Sequence, residues 1–233
     1  ECAQWYDWDL AGKSIFAPIG NAGNITAIMA GLLKMHALGI ITELPRLVGV
    51  QSEHAAPVFR YYAQTDPNLR EYHPVKVTPS VAQAAMIGNP VSFPSVTLLA
   101  ERYIDNGGAF AVVEVTEQAI MDAMLEANRH GHIACTQGGE CLAGLLRARE
   151  LGILGPKDFA ILDATAHGLK FADFQNMYFN NSFPPEYEVT PRPELVNHPE
   201  LIISTQERQA AGEEDFPRLA AVAVAKRLRL KNV

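Results

Sequence analysis

The chain has 233 residues, of which 48% are hydrophobic and 19% charged, and its formal net charge is -7. So large an apolar share excludes a disordered chain, and the acidic excess argues against nucleic acid or an anionic membrane as the main partner. Cys2, Cys135 and Cys141 are an odd number without framework spacing, which suits a reducing cytosol, and no apolar run reaches bilayer length.

In chain order, Gln4-Trp5-Tyr6-Asp7-Trp8 is an aromatic lead-in read as the end of a helix begun upstream, since the chain starts at Glu1 without a methionine. Ser14 to Pro18 is an apolar strand. It runs into a turn with Gly20, Asn21, Ala22, Gly23 and Asn24, and a helix follows, with Ile25, Ile28, Met29, Leu32, Met35 and Leu38 at helical spacing and Gly39 as its stop. Arg46 to Gln51 reads as a second buried strand and Ala55 to Ala63 as a second helix with Pro57 in its first turn. Residues 64–79 are a surface connection. Val81 to Ile87 is expected as a short helix stopped at Gly88-Asn89-Pro90, and Pro94 to Ile104 as a longer one. Ala109 to Val115 is a strand, Thr116 caps a helix from Glu117 to His130, and His132 to Thr136 is expected as another short strand. After Gly138-Gly139 a helix spans Glu140 to Leu151, and Phe159 to Thr165 is the last strand. From Phe171 onward Pro184, Pro185, Pro191, Pro193 and Pro199 punctuate a polar stretch. One amphipathic helix follows, Asp215 to Leu230, with a basic tail from Lys226 to Lys231.

Strands alternating with helices over residues 14–165 imply an α/β fold, a parallel sheet with helices on both faces, whose ligands sit beyond the carboxyl ends of the strands. The turn from Gly20 to Asn24 has the composition of an anion site. Gly20 and Gly23 can take positive φ and leave room for a ligand, and the following helix offers free N–H groups at its positive end, so a phosphate needs no lysine or arginine there. The spacing matches neither G-x-G-x-x-G nor a P-loop. A plain β–α corner whose glycines only make the turn is the alternative at this stage. His130, His132, Cys135 and Cys141 lack a metal-site spacing, so no metal is expected, and no nucleophile elbow accompanies a Cys–His pair.

Five stretches together resemble threonine synthase, in particular its larger plant-type form. They are Gln4 to Trp8, Pro18 to Asn24, Pro45 to Gln51, Ala85 to Ser92 and Thr165 to Phe171, in the family's order and spacing over residues 1–175. The resemblance implies a fold type II pyridoxal-phosphate enzyme (tryptophan synthase beta-like), with pyridoxal 5'-phosphate held between two domains. It divides the chain into residues 1–175, the C-terminal part of the large catalytic domain, and residues 176–233, an extension. It implies that Gly20, Asn21, Ala22, Gly23 and Asn24 hold the cofactor phosphate through main-chain amides and that the Thr165 hydroxyl meets the pyridine nitrogen. Such a neutral hydroxyl makes the ring a milder electron sink than an aspartate would. Asp163, two residues earlier, is a departure and is not expected to touch the cofactor. Cys135 to Gly139 also departs, lacking the family's proline.

The activity implied is that of a lyase in threonine biosynthesis, converting O-phosphohomoserine and water to threonine and phosphate in a cytoplasmic homodimer. The Schiff-base lysine and the substrate-carboxylate loop of the family have no match here. Lys170 lacks the required context, so no catalytic residue is assigned and the lysine is expected on an N-terminal part of the same enzyme. Alternatives are a cysteate synthase, a threonine/serine dehydratase, or a non-catalytic fragment that binds pyridoxal phosphate or phosphate.

Overall fold

Four short runs rich in β-branched and apolar residues pair into one fully parallel sheet. The strands are β1 (Lys13–Pro18), β2 (Arg46–Ser52), β3 (Ala109–Val115) and β4 (Phe159–Leu162), in spatial order β3-β2-β1-β4. Phe16 of β1 lies opposite Val48 and Leu162, so β1 and β2 occupy the centre of the sheet. The computed structural model describes residues 1–198 and 201–230.

Parallel strands need long crossovers, and helices supply them. They are α1 (Cys2–Trp5), α2 (Gly23–Ala37), α3 (Pro57–Ala63), α4 (Phe93–Asp105), α5 (Glu117–Arg129), α6 (Thr136–Glu150), α7 (Ala172–Phe179) and α8 (Thr205–Arg227). Side chains alternate across the sheet. Ile15, Ala17, Leu47 and Val112 pack with Ile25, Met29 and Leu32 of α2 and Val96, Ala100 and Tyr103 of α4. Phe16, Val48, Val50, Val113 and Val115 pack on the other face with Ile120 and Met124 of α5 and Cys141 and Ala148 of α6. Each fully buried aliphatic or aromatic side chain contributes about 1.5–3 kcal/mol, so both layers are needed to hold the strand ends in place.

Several expected elements differ. Val81 to Ile87 forms only a 3-10 turn at Gln83–Ala85. Ser80 Oγ and Glu117 accept from the N–H groups of Ala82 and Val81, as caps would, but the backbone at Ala85 is packed directly on Gly20 and the run ends at Gly88-Asn89-Pro90 before a helical ladder can build. His132 to Thr136 is not a strand. It makes a single bridge, Ala134 to His167, before α6 begins at Thr136. Gly138 and Gly139 therefore lie inside α6, not ahead of it. The last strand stops at Leu162, because Asp163 donates its N–H to the Phe16 carbonyl at 2.9 Å and the chain then turns. The second helix splits into a 3-10 turn at Glu53–Ala55 and α3. α7 had no counterpart among the sequence expectations.

The chain divides into two compact units, Glu1–Val196 and Asn197–Val233. Within the first, Tyr178, Val189 and Leu195 belong to the core on the α5–α6 side of the sheet. In the second, α8 starts ten residues before the expected Asp215, with a capping box between Ser204 and Glu207, and breaks at Gly212 (φ 66°, ψ -178°). Pro199 and Lys231 lie outside the described residues. Among the described residues no helix is long and apolar enough to cross a membrane.

Candidate functional site

The corner between β1 and α2 sits at the carboxyl end of the sheet. Ile19 N–H donates to the Val50 carbonyl at 2.8 Å, and Gln51 Nε2 donates to the Ile19 carbonyl at 3.1 Å, so the chain leaves the sheet under restraint. Ala22, not a glycine, makes the turn, at φ 66°. Neither Gly20 nor Gly23 takes positive φ, which corrects the sequence reading. Their value is spatial instead. A Cβ on Gly20 would lie 2.9 Å from Ala85 Cα, so the 3-10 turn packs directly on its backbone, whereas a Cβ on Gly23 would meet nothing within 4 Å. The Asn21 side chain is committed, its Oδ1 accepting from the Val91 N–H at 2.8 Å. That bond ties the 86–92 segment to the corner.

No side chain caps α2, and among the described residues the N–H groups of Gly23, Asn24 and Ile25 have no protein acceptor. Thr26 Oγ1 donates to the carbonyls of Ala22 and Gly23, closing the turn from behind. Unpaired amides at the positive end of a fifteen-residue helix, facing space that no side chain fills at Gly23, fit a phosphate group.

Thr165 is brought to this corner through Asp163. Asn24 Nδ2 donates to Asp163 Oδ2 at 2.6 Å, and the Thr165 N–H donates to Asp163 Oδ1 at 3.1 Å. Thr165 sits at φ 46°, and its Oγ1 lies 3.5 Å from Cys135 Sγ, which itself donates to the Ala164 carbonyl at 3.2 Å. Sequence reasoning had set Asp163 aside. The available signal was an acid two residues before a polar residue at a strand end, the pattern of a side chain accepting from its own backbone two residues on. His167 turns away from the corner, with its Nδ1 accepting from the Leu169 N–H at 3.2 Å.

Beneath the carboxyl ends lies a buried polar layer that the sequence did not disclose. Glu117, fully buried, accepts from the Ser52 hydroxyl, from the Ser80 hydroxyl at 2.8 Å and from the Val81 N–H. Burial raises its carboxyl above the ordinary range, while those three donors and nearby His54 oppose the shift. Glu140 of α6 is also fully buried, and neither of its oxygens has a hydrogen-bond partner. Burial, reinforced by Glu117, pushes it well above the ordinary range, and only a loose approach of the Ser52 main chain favours the ionised form. Gln137 and Thr136 in the same turn are likewise buried and unpartnered. Burial also pushes up the Cys141 thiol, so it is no nucleophile.

A larger cavity of about 820 Å3 lies elsewhere, between α5, α6 and the 192–195 segment, lined by acids such as Glu114, Asp122 and Glu126. It shares no residue with the corner. The corner is the better candidate because three successive N–H groups there lack a protein acceptor beside open space at Gly23, while the cavity has a mixed wall of acids, arginines and apolar side chains. Glu53, His54 and Glu188 approach one another closely enough to share an ion, whereas His130, His132, Cys135 and Cys141 form no such group among the described residues.

The model of the family described as pyridoxal-phosphate dependent enzyme matches residues 5–162. The chain is 31% identical over 182 residues to threonine synthase 2, chloroplastic, of Arabidopsis thaliana, covering 78% of this chain and 34% of that protein. It is 32% identical over 174 residues to the threonine synthase of Methanocaldococcus jannaschii, covering 74% and 41%. Among solved structures, threonine synthase from Escherichia coli superimposes with a TM-score of 0.51 at 19% identity, over 80% of this chain and 38% of that one, which shows a shared fold. The chain thus spans between a third and about two fifths of the length of these relatives.

Proposed function

This chain belongs to the pyridoxal-phosphate dependent enzyme family, and on that premise we propose that it is the cofactor-seating part of a threonine synthase, which converts O-phosphohomoserine and water to threonine and phosphate. The observation that carries the reading is the uncapped first turn of α2, joined through Asp163 to Thr165. The named relatives supply the substrate class.

In this reading the main chain of Gly20, Asn21, Ala22, Gly23 and Asn24 would hold the cofactor phosphate, and the Thr165 hydroxyl would meet the ring nitrogen. When bound, the cofactor stabilises negative charge on the substrate's carbon atoms. This chain's residues bind and orient. The amides hold the phosphate without a titrating side chain of their own, so the pH dependence of the grip follows the phosphate's own second ionisation, at about pH 6. Thr165, unable to ionise near neutral pH, leaves the ring nitrogen free of a forced proton. The lysine that binds the cofactor covalently is assigned to an N-terminal part of the same enzyme, and the working form to a cytoplasmic homodimer, both on family resemblance. Residues 176–233 are assigned to an extension of the catalytic domain.

The test combines this chain with its N-terminal part, pyridoxal 5'-phosphate and O-phosphohomoserine, and follows inorganic phosphate. Release that depends on both parts is the expected result. No release above background, or release of ammonia from threonine or serine in its place, overturns the assignment. Thr165→Val is expected to weaken cofactor binding by about tenfold, the equivalent of one hydrogen bond, while the fold is retained.

A further inference from the structure

Asp163 spans two parts of the molecule that meet nowhere else in sequence. One oxygen of its carboxylate accepts from the side chain of Asn24, in the first turn of α2, at 2.6 Å. The other accepts from the main-chain N–H of Thr165 at 3.1 Å. Its own N–H is pinned to the Phe16 carbonyl of β1 at 2.9 Å, so the carboxylate hangs from the sheet itself. Thr165 lies in the left-handed region, at φ 46°, which a β-branched residue occupies only when its surroundings compel it. The bond from Asp163 restrains it here together with the 2.6 Å bond from the Ala166 N–H to the Ala164 carbonyl, which closes the turn around Thr165.

A carboxylate suits this position because both arms must accept. A carboxamide could keep both arms only if the Asn24 amide flipped to accept in its turn, so the arrangement seen, with Asn24 donating, calls for a carboxylate. The negative charge, in contrast, is a disadvantage beside an anion site, since it opposes a phosphate at the same helix terminus. An acid kept so close to such a corner has a value other than attraction.

We propose that Asp163 is a positioning residue that fixes the span between the open amides of α2 and the Thr165 hydroxyl, so that a ligand carrying both a phosphate and an aromatic nitrogen is met at its two ends at once. This rests on the reading that the corner and Thr165 hold one cofactor. It goes beyond that reading by giving Asp163, which the family resemblance leaves without a role, command of the geometry.

The test uses the full chain with two probes, inorganic phosphate and pyridoxal 5'-phosphate, measured by equilibrium dialysis for wild type, Asp163→Ala, Thr165→Val and the double variant. A positioning role predicts opposite responses. Asp163→Ala weakens pyridoxal 5'-phosphate by about tenfold, yet leaves inorganic phosphate unchanged or tighter, because a repelling charge is gone. In the Thr165→Val background the same change adds less than about twofold, since the hydroxyl it positions is already absent. Amide hydrogen exchange supplies a readout free of any ligand: exchange quickens together at Thr165, whose N–H Asp163 accepts, and at Thr26, the first amide of α2 with a protein acceptor. Asp163→Leu, which likewise removes both acceptors at closer volume, replaces the alanine variant if that one fails to fold. Equal losses for both probes, additive losses in the double variant, or unchanged exchange at both segments overturns the proposal. If wild type binds neither probe, the cofactor reading falls by itself, and the exchange pattern still decides the role of Asp163.

Discussion

Two helices of this molecule begin with glycines at the carboxyl end of the same sheet, and they use them in opposite ways. α2 opens on Gly23, where an added Cβ would meet nothing within 4 Å. α6 holds Gly139, where it would lie 2.5 Å from the Ile120 carbonyl and 2.7 Å from Met124 Cβ. The first helix keeps its turn open, with amides waiting for an outside acceptor. The second is pressed against α5, and its polar side chains Gln137 and Glu140 are buried without partners. A glycine in the first turn of a helix therefore signals open space or close packing with equal readiness, and only the surroundings tell which.

That contrast can be broken by substitution. Gly139→Ala is expected to cost about 3 kcal/mol or more in urea unfolding, because the obstacle is backbone and cannot rotate aside. A cost below about 1 kcal/mol would show that α5 and α6 are not in close contact. Glu117→Gln comes next. Its remaining oxygen can still accept from the Val81 N–H, but its NH2 then faces the Ser52 and Ser80 hydroxyls, which must turn their protons elsewhere, and it is expected to destabilise by about 2 kcal/mol.

Glu140→Gln has the reverse sign. A buried carboxyl with a raised pKa is harmless while protonated, so its stability is intact below the ordinary glutamate range and is lost as pH rises through the raised value. The wild-type chain should lose up to about 1.4 kcal/mol per pH unit in that window, and the glutamine variant should flatten the profile. An unchanged slope would assign the pH dependence to other groups. Gly23→Ala should be the mildest, within about 0.5 kcal/mol in stability. Its effect belongs to binding, where the new methyl stands in the phosphate's approach, and undiminished affinity for pyridoxal 5'-phosphate would remove Gly23 from the site.

The sequence carried the β1–α2 corner well, since the change from a strand run to the i, i+4, i+7 spacing of Ile25, Met29 and Leu32 begins within seven residues of Pro18, and all three are buried. It carried Thr165 only through family resemblance. It could not show that Asn24 and Thr165 meet, because Asp163, the residue that joins them, is silent until β4 is laid beside β1. The burial of Glu117 was equally hidden. An acid in the first turn of a helix is ordinary at a surface, and its partners Ser52 and Ser80 come from distant loops. The expected helix over Val81 to Ile87 failed for a related reason: the run is too short to hold a ladder by itself, and its backbone at Ala85 is committed to packing on distant Gly20.

The pairing of β4 with β1 brings Lys13 beside Phe159 across nearly the whole unit, while β1 and β2 meet over a far shorter loop. Long closures form late, so a nascent chain can assemble the first three strands well before the fourth, a piece of only four residues, arrives. Since Asp163 and Thr165 follow directly after it, the link from Asn24 to Thr165 is among the last contacts of the sheet to close. A ribosome stalled before Phe159 would display the uncapped start of α2 with neither residue opposite it.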